Sequence, residues 1–135
     1  MKQTLQRVLG EGFRVFFLGA GIFAIFAVGW WELYLSVHWV GGYFDLAPYA
    51  MAPHEWHGHE LIFGYGGAAL GGFLLTAVPN WTGAAGARRA FIAVAAGVWL
   101  AGRLALFFSA ALPFWLVAVV DLAFLPILWA KGARL

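Results

Sequence analysis

Leu61 to Ala87 is a run of twenty-seven residues without a formal charge. A helix of about 20 apolar residues crosses the roughly 30 Å hydrocarbon core of a bilayer. The run therefore predicts a membrane-spanning helix and removes most soluble folds. The rest of the chain agrees: 64% of its 135 residues are apolar, 10% are charged, and the mean hydropathy is +0.84. A soluble domain would be about one quarter charged. Aromatic residues reach 19%, with eight tryptophans, as suits rings that anchor helices at the two membrane interfaces.

Three further apolar stretches complete an all-α, polytopic reading with four transmembrane helices in a single domain, at about 13–37, 53–78, 90–111 and 114–130. Residues 2–14 place Leu5, Val8, Leu9 and Phe13 at helical spacing among Lys2, Arg7, Glu11 and Arg14, the pattern of a short amphipathic interfacial helix. The apolar run after it is longer than a signal-peptide core, so no cleavage is expected. His38 to Ala52, with Gly41, Gly42, Asp45 and Pro48, has loop composition. Pro79 to Gly83 is expected to close the second helix, and Leu112-Pro113 to turn the third into the fourth. Asn80-Trp81-Thr82 has the form of a glycosylation acceptor, but this topology puts it on the cytoplasmic side.

Lysine and arginine fix the expected orientation. Lys2, Arg7, Arg14, Arg88, Arg89, Lys131 and Arg134 all fall at one end, and the connections 38–52 and 110–113 have none. Positive loops stay cytoplasmic, so both termini are expected inside. The positive charge reports topology rather than nucleic-acid binding.

The outward end then carries Pro53-His54-Glu55-Trp56-His57-Gly58-His59-Glu60, which holds three of the four histidines. Imidazole is the commonest metal ligand, and carboxylates beside it suit supporting or proton-transfer roles. The chain has no cysteine, which excludes thiolate metal sites and covalently attached haem. His54, His57, His59 and Glu60 are the candidate metal and cofactor residues. Pro53 is a favourable first helical residue. On a helix begun there, His57 and His59 lie about 200° apart and cannot share one metal, whereas His54 and His57 share a face. Either the segment is a loop, or the two serve separate partners. The second is the expectation, with Glu55 or Glu60 backing His59 and Glu60 drawn on the His57 side.

Arg103 and Asp121 interrupt the third and fourth spans at equal distances from Leu112. Each would cost roughly 2.5–3.5 kcal/mol unpaired at a helix centre, so an intramembrane ion pair is expected; a proton relay or a contact to a haem propionate are the alternatives. Glu32, beside Trp30 and Trp31, either approaches the histidines or faces water. Gly64, Ala68, Gly72 and Thr76, with Gly67 and Gly71, form small-residue rows that admit a neighbouring helix, a second copy of the chain or a flat macrocycle.

His57-Gly58-His59-Glu60, the glycine-rich run after it, and Gly72-Phe73-Leu74-Leu75-Thr76-Ala77-Val78-Pro79-Asn80-Trp81-Thr82-Gly83 resemble the signature of the NnrS family. Phe16-Phe17-Leu18-Gly19-Ala20 resembles that family's opening. The resemblance implies a multi-pass protein of the bacterial inner membrane, associated with haem and copper and with denitrification and nitric-oxide stress. It places metal near His57 and His59. Family members have more helices, so it implies the N-terminal portion, a short member, or one subunit beside further membrane subunits. From the residues alone, two other readings stand: a small oligomeric proton- or metal-ion-coupled transporter, and an accessory subunit without a cofactor. Whether the protein is an enzyme is left open.

Overall fold

The computed structural model describes residues 10–43 and 47–132. Four helices are long and apolar enough to cross a membrane: α1 (Gly12–Trp39), α2 (Pro53–Thr82), α3 (Arg89–Phe107) and α4 (Phe114–Gly132). Most of the amphipathic segment expected over residues 2–14, together with Asp45 and Arg134, lies outside the described residues.

The helix ends follow from local chemistry. Pro53 opens α2, where its missing N–H costs nothing. Glu55 Oε2 accepts a hydrogen bond from the Ala52 amide at 3.1 Å, which satisfies one donor at the helix start. Contrary to expectation, α2 runs through Pro79 and stops only at Gly83, whose φ of +68° is left-handed. Proline removes one intrahelical donor, and in a spanning helix that loss is tolerated because the neighbouring turns hold. The third helix ends earlier than 111. Pro113 disfavours helix in the residue before it; Leu112 is extended (φ −118°, ψ 149°), and Ser109–Ala111 form one 3-10 turn instead.

Two helices are internally irregular. In α2, Glu60–Gly66 is π-helical, with i→i+5 hydrogen bonding that widens the turn. In α4, regular helix is interrupted at Ala123, between Phe114–Leu122 and Phe124–Gly132. Pro126 lies four residues beyond Leu122, so the bond that would bridge the interruption has no donor.

Helix α1 packs mainly on α2, and α3 on α4. Glycine sets the close approaches. A Cβ on Gly72 would meet Phe16 and Phe17 of α1, at 3.1 and 3.2 Å. One on Gly71 would meet Phe124 of α4 at 2.8 Å, and one on Gly102 would meet the Asp121 backbone at 3.1 Å. The small-residue rows of α2 thus seat α1 on one side and α4 on the other. Buried apolar side chains form two clusters: one around Phe16, Ala68, Trp99 and Phe124, the other around Ala27, Tyr49, Trp56 and Leu106. At the second end, the loop before α2 is tied to the 3-10 turn. The Ala50 amide donates to Ser109 Oγ at 2.9 Å, and the Ala110 amide donates to the Pro48 carbonyl at 3.1 Å.

Candidate functional site

Between the two apolar clusters lies a layer of charge. Glu60 follows Trp56 on α2, Arg103 follows Trp99 on α3, and Asp121 precedes Phe124 on α4. All three are buried, at 0%, 4% and 7% exposure. Glu60 and Asp121 are each seven positions into their helices, about 10 Å at roughly 1.5 Å per residue. The layer is therefore about two turns in from the starts of α2 and α4, at the end of the bundle where the histidines are.

Arg103 holds it together. Its Nη1 donates to Glu60 Oε2 at 3.0 Å, and its Nη2 donates to Asp121 Oδ1. His59 completes the group: Nε2 is 3.1 Å from Asp121 Oδ2, and Nδ1 is 3.8 Å from Glu60 Oε1. The two carboxylates thus share one guanidinium, while the imidazole bonds Asp121 and stands beyond hydrogen-bond distance of Glu60, leaving His59 Nδ1 and Glu60 Oε1 buried without a partner. Charge-assisted contacts of this kind are strong where water is excluded. The His59 ring stacks on Phe63 at 4.5 Å, and its side chain is 21% exposed, the most accessible member of the four.

The π segment shapes this group. It begins at Glu60 and leaves the Gly64 carbonyl as acceptor for Trp99 Nε1 at 2.9 Å. A Cβ on Gly64 would lie 2.2 Å from the Phe23 ring and 2.6 Å from Glu60 Oε2. Only glycine leaves room there for the carboxylate.

The other candidates go elsewhere. His57 stacks on Trp31 of α1 at 4.9 Å and 14° between planes, and its Nδ1 is buried without a hydrogen-bond partner. His54 and Glu32 are exposed. Glu55 caps α2 and does not back His59. Glu60, drawn on the His57 side of a regular helix, stands instead with His59 at the start of the π turn. Tyr49 stacks on Trp56 at 4.9 Å and accepts a bond from Trp30 Nε1 at 3.2 Å. Burial pushes the Tyr49 hydroxyl above its ordinary pKa of 10.0, with the Trp30 bond acting the other way. The links from Arg103 to Glu60 and from Asp121 to His59 escaped the sequence reading. The signal for them was the equal depth of Glu60 and Asp121 below their helix starts.

A family model described as NnrS protein matches residues 7–135. The chain belongs to the NnrS family. No curated protein and no solved structure matches it.

Copper bound by nitrogen and oxygen needs converging donors, and haem needs an axial ligand facing a slot. Among the described residues no group of three or more His, Asp or Glu side chains is placed to hold a metal ion. Of the four predicted ligands only His59 and Glu60 are brought together, in the charge layer; His54 is exposed and His57 lies against Trp31. The aromatic groove between α1 and α3 is lined by no histidine. The terminal nitrogens of Arg103 are committed to Glu60 and Asp121 rather than open to a propionate. The donors among the described residues do not by themselves fit either group.

Proposed function

We propose that this chain is a bacterial inner-membrane protein of the nitric-oxide response, with the Glu60–Arg103–Asp121–His59 layer as its working centre. The observation that carries the reading is that layer: four titratable side chains from three membrane-spanning helices, gathered inside the bundle of an NnrS-family protein. Ionisable groups at such depth are expensive and mark functional pathways by default. Haem and copper come with the family resemblance. The imidazole this chain would offer to either is His57, whose Nδ1 has no hydrogen-bond partner and which, unlike His59, is not engaged by a carboxylate; the remaining donors would come from another copy or a further membrane subunit.

The test is growth under nitric-oxide challenge of cells lacking the protein, complemented with wild type, Asp121→Asn or His57→Ala. Protection by wild type and its loss in Asp121→Asn, at equal membrane abundance, is the expected result. Absorption spectra and copper analysis of the purified wild type and His57→Ala proteins test the metal reading separately. A second reading, ion-coupled transport through an oligomer, is favoured by the same buried charges. It requires flux into liposomes that disappears in Asp121→Asn.

A further inference from the structure

At the end of the bundle away from the histidines, α2 and α4 leave a cleft beside their closest approach. They meet at Gly71, where an added Cβ would stand 2.8 Å from the Phe124 ring and 3.3 Å from Leu128. Next to that contact lies a cavity of about 420 Å³, lined by Leu70, Leu74 and Pro79 of α2, by Leu125 of α4, and at its far end by Ala87 and Lys131. On its open side Leu70 and Leu125 are 46% and 38% exposed, and in a spanning bundle that exposure is to lipid. Leu70 to Pro79 is nine residues, about 14 Å at roughly 1.5 Å per residue. One leaflet is about 15 Å, half of a roughly 30 Å core. A helix of another chain would need the whole width, whereas a single acyl chain needs one leaflet.

Charge at the mouth selects the lipid. Lys131 lines the cleft itself, and Arg88 directly follows Ala87, which also lines it. A lysine lays its aliphatic stem along apolar surface and carries its ammonium to the interface. That is where the headgroup of a chain lying in the cleft stands. Arg88, Arg89 and Lys131 make no ion pair among the described residues. The one described acid at this end, Glu11, pairs with Arg14 at 3.5 Å. Basic clusters at the mouth of a gap between spanning helices attract anionic headgroups. A zwitterionic headgroup would bring its own ammonium among these cations; an anionic one brings only the charge they lack.

We infer that this cleft is a binding site for one anionic phospholipid. One acyl chain lies between α2 and α4, and Lys131 and Arg88 hold the phosphate at the mouth. The inference stands independently of the proposed role in the nitric-oxide response and of the charge layer, which lies toward the other end.

The probe is dioleoylphosphatidylglycerol, titrated into the detergent-purified full chain. It is read as lipid retained in native mass spectrometry and as the rise in Tm that accompanies ligand binding. Dioleoylphosphatidylcholine supplies the same chains under a zwitterionic headgroup, and glycerol phosphate supplies the phosphate without chains. One phosphatidylglycerol should be retained saturably with a matching rise in Tm, at least tenfold more tightly than phosphatidylcholine. Glycerol phosphate at equal concentration should not displace it. Lys131→Gln should weaken retention at least fivefold, and Leu125→Trp, which fills the cleft from its open side, at least tenfold. Arg14→Gln, which removes the same charge at the same end but outside the cleft, should leave retention unchanged. Equal retention of the two lipids would overturn the proposal and make the cleft part of the general lipid annulus. Equal weakening in Arg14→Gln and Lys131→Gln, or binding unchanged in Leu125→Trp, would overturn it too, as would displacement by glycerol phosphate.

Discussion

Arg103 is the residue on which the interior depends. It is the shared ion-pair partner of Glu60 and Asp121, so its loss leaves two buried carboxylates without their guanidinium. Losing Asp121 leaves the Arg103–Glu60 contact standing. Arg103→Leu should therefore cost about 3–5 kcal/mol, and Asp121→Leu less, about 1–3 kcal/mol. The double variant should be milder than the sum of the two, because removing one member of a pair hurts most when the other stays behind. Unfolding of the four proteins in mixed micelles measures this. Additive losses would show that the contact contributes no coupling energy.

The decisive element is the π turn of α2. It begins at Glu60, and Gly64 within it lets Phe23 and the Glu60 carboxylate occupy the space a side chain would take. Gly64→Ala should therefore destabilise by about 1–3 kcal/mol, as overpacking does. Gly29→Ala on α1, where an added Cβ meets nothing within 4 Å, should be neutral or gain up to about 1 kcal/mol from helix propensity. Comparing the two in the same micelle removes effects common to all glycine replacements. A neutral Gly64→Ala would mean that the turn relaxes without cost.

For the whole molecule, orientation is the prediction of widest reach. The chain has no cysteine, so single cysteines report one site each. Tyr43, 84% exposed, lies at the histidine end, and Gly86 at the opposite end beside Arg88 and Arg89. With positive loops held in the cytoplasm, Tyr43→Cys should react with an impermeant maleimide added outside intact spheroplasts. Gly86→Cys should react only after the membrane is opened. The reverse pattern would invert the protein and turn the charge layer toward the cytoplasm.

Composition and hydropathy determined the all-α membrane fold and its four helices, because hydrocarbon admits few ways of satisfying a backbone. The family, too, was legible in the residues 53–83. Equal spacing of Arg103 and Asp121 from Leu112 is likewise a property of the sequence, since an antiparallel hairpin puts such positions at one depth. What joined Glu60 and His59 to that pair was decided only in three dimensions. A regular-helix projection draws Glu60 toward His57, whereas its contacts are with Arg103 and His59 at the start of a π turn that no residue pattern announced. The groove between α1 and α3 was also beyond the sequence. It exists because α1 is drawn onto α2 by glycines and α3 onto α4 at Gly102, so the space left over depends on how two helix pairs settle together.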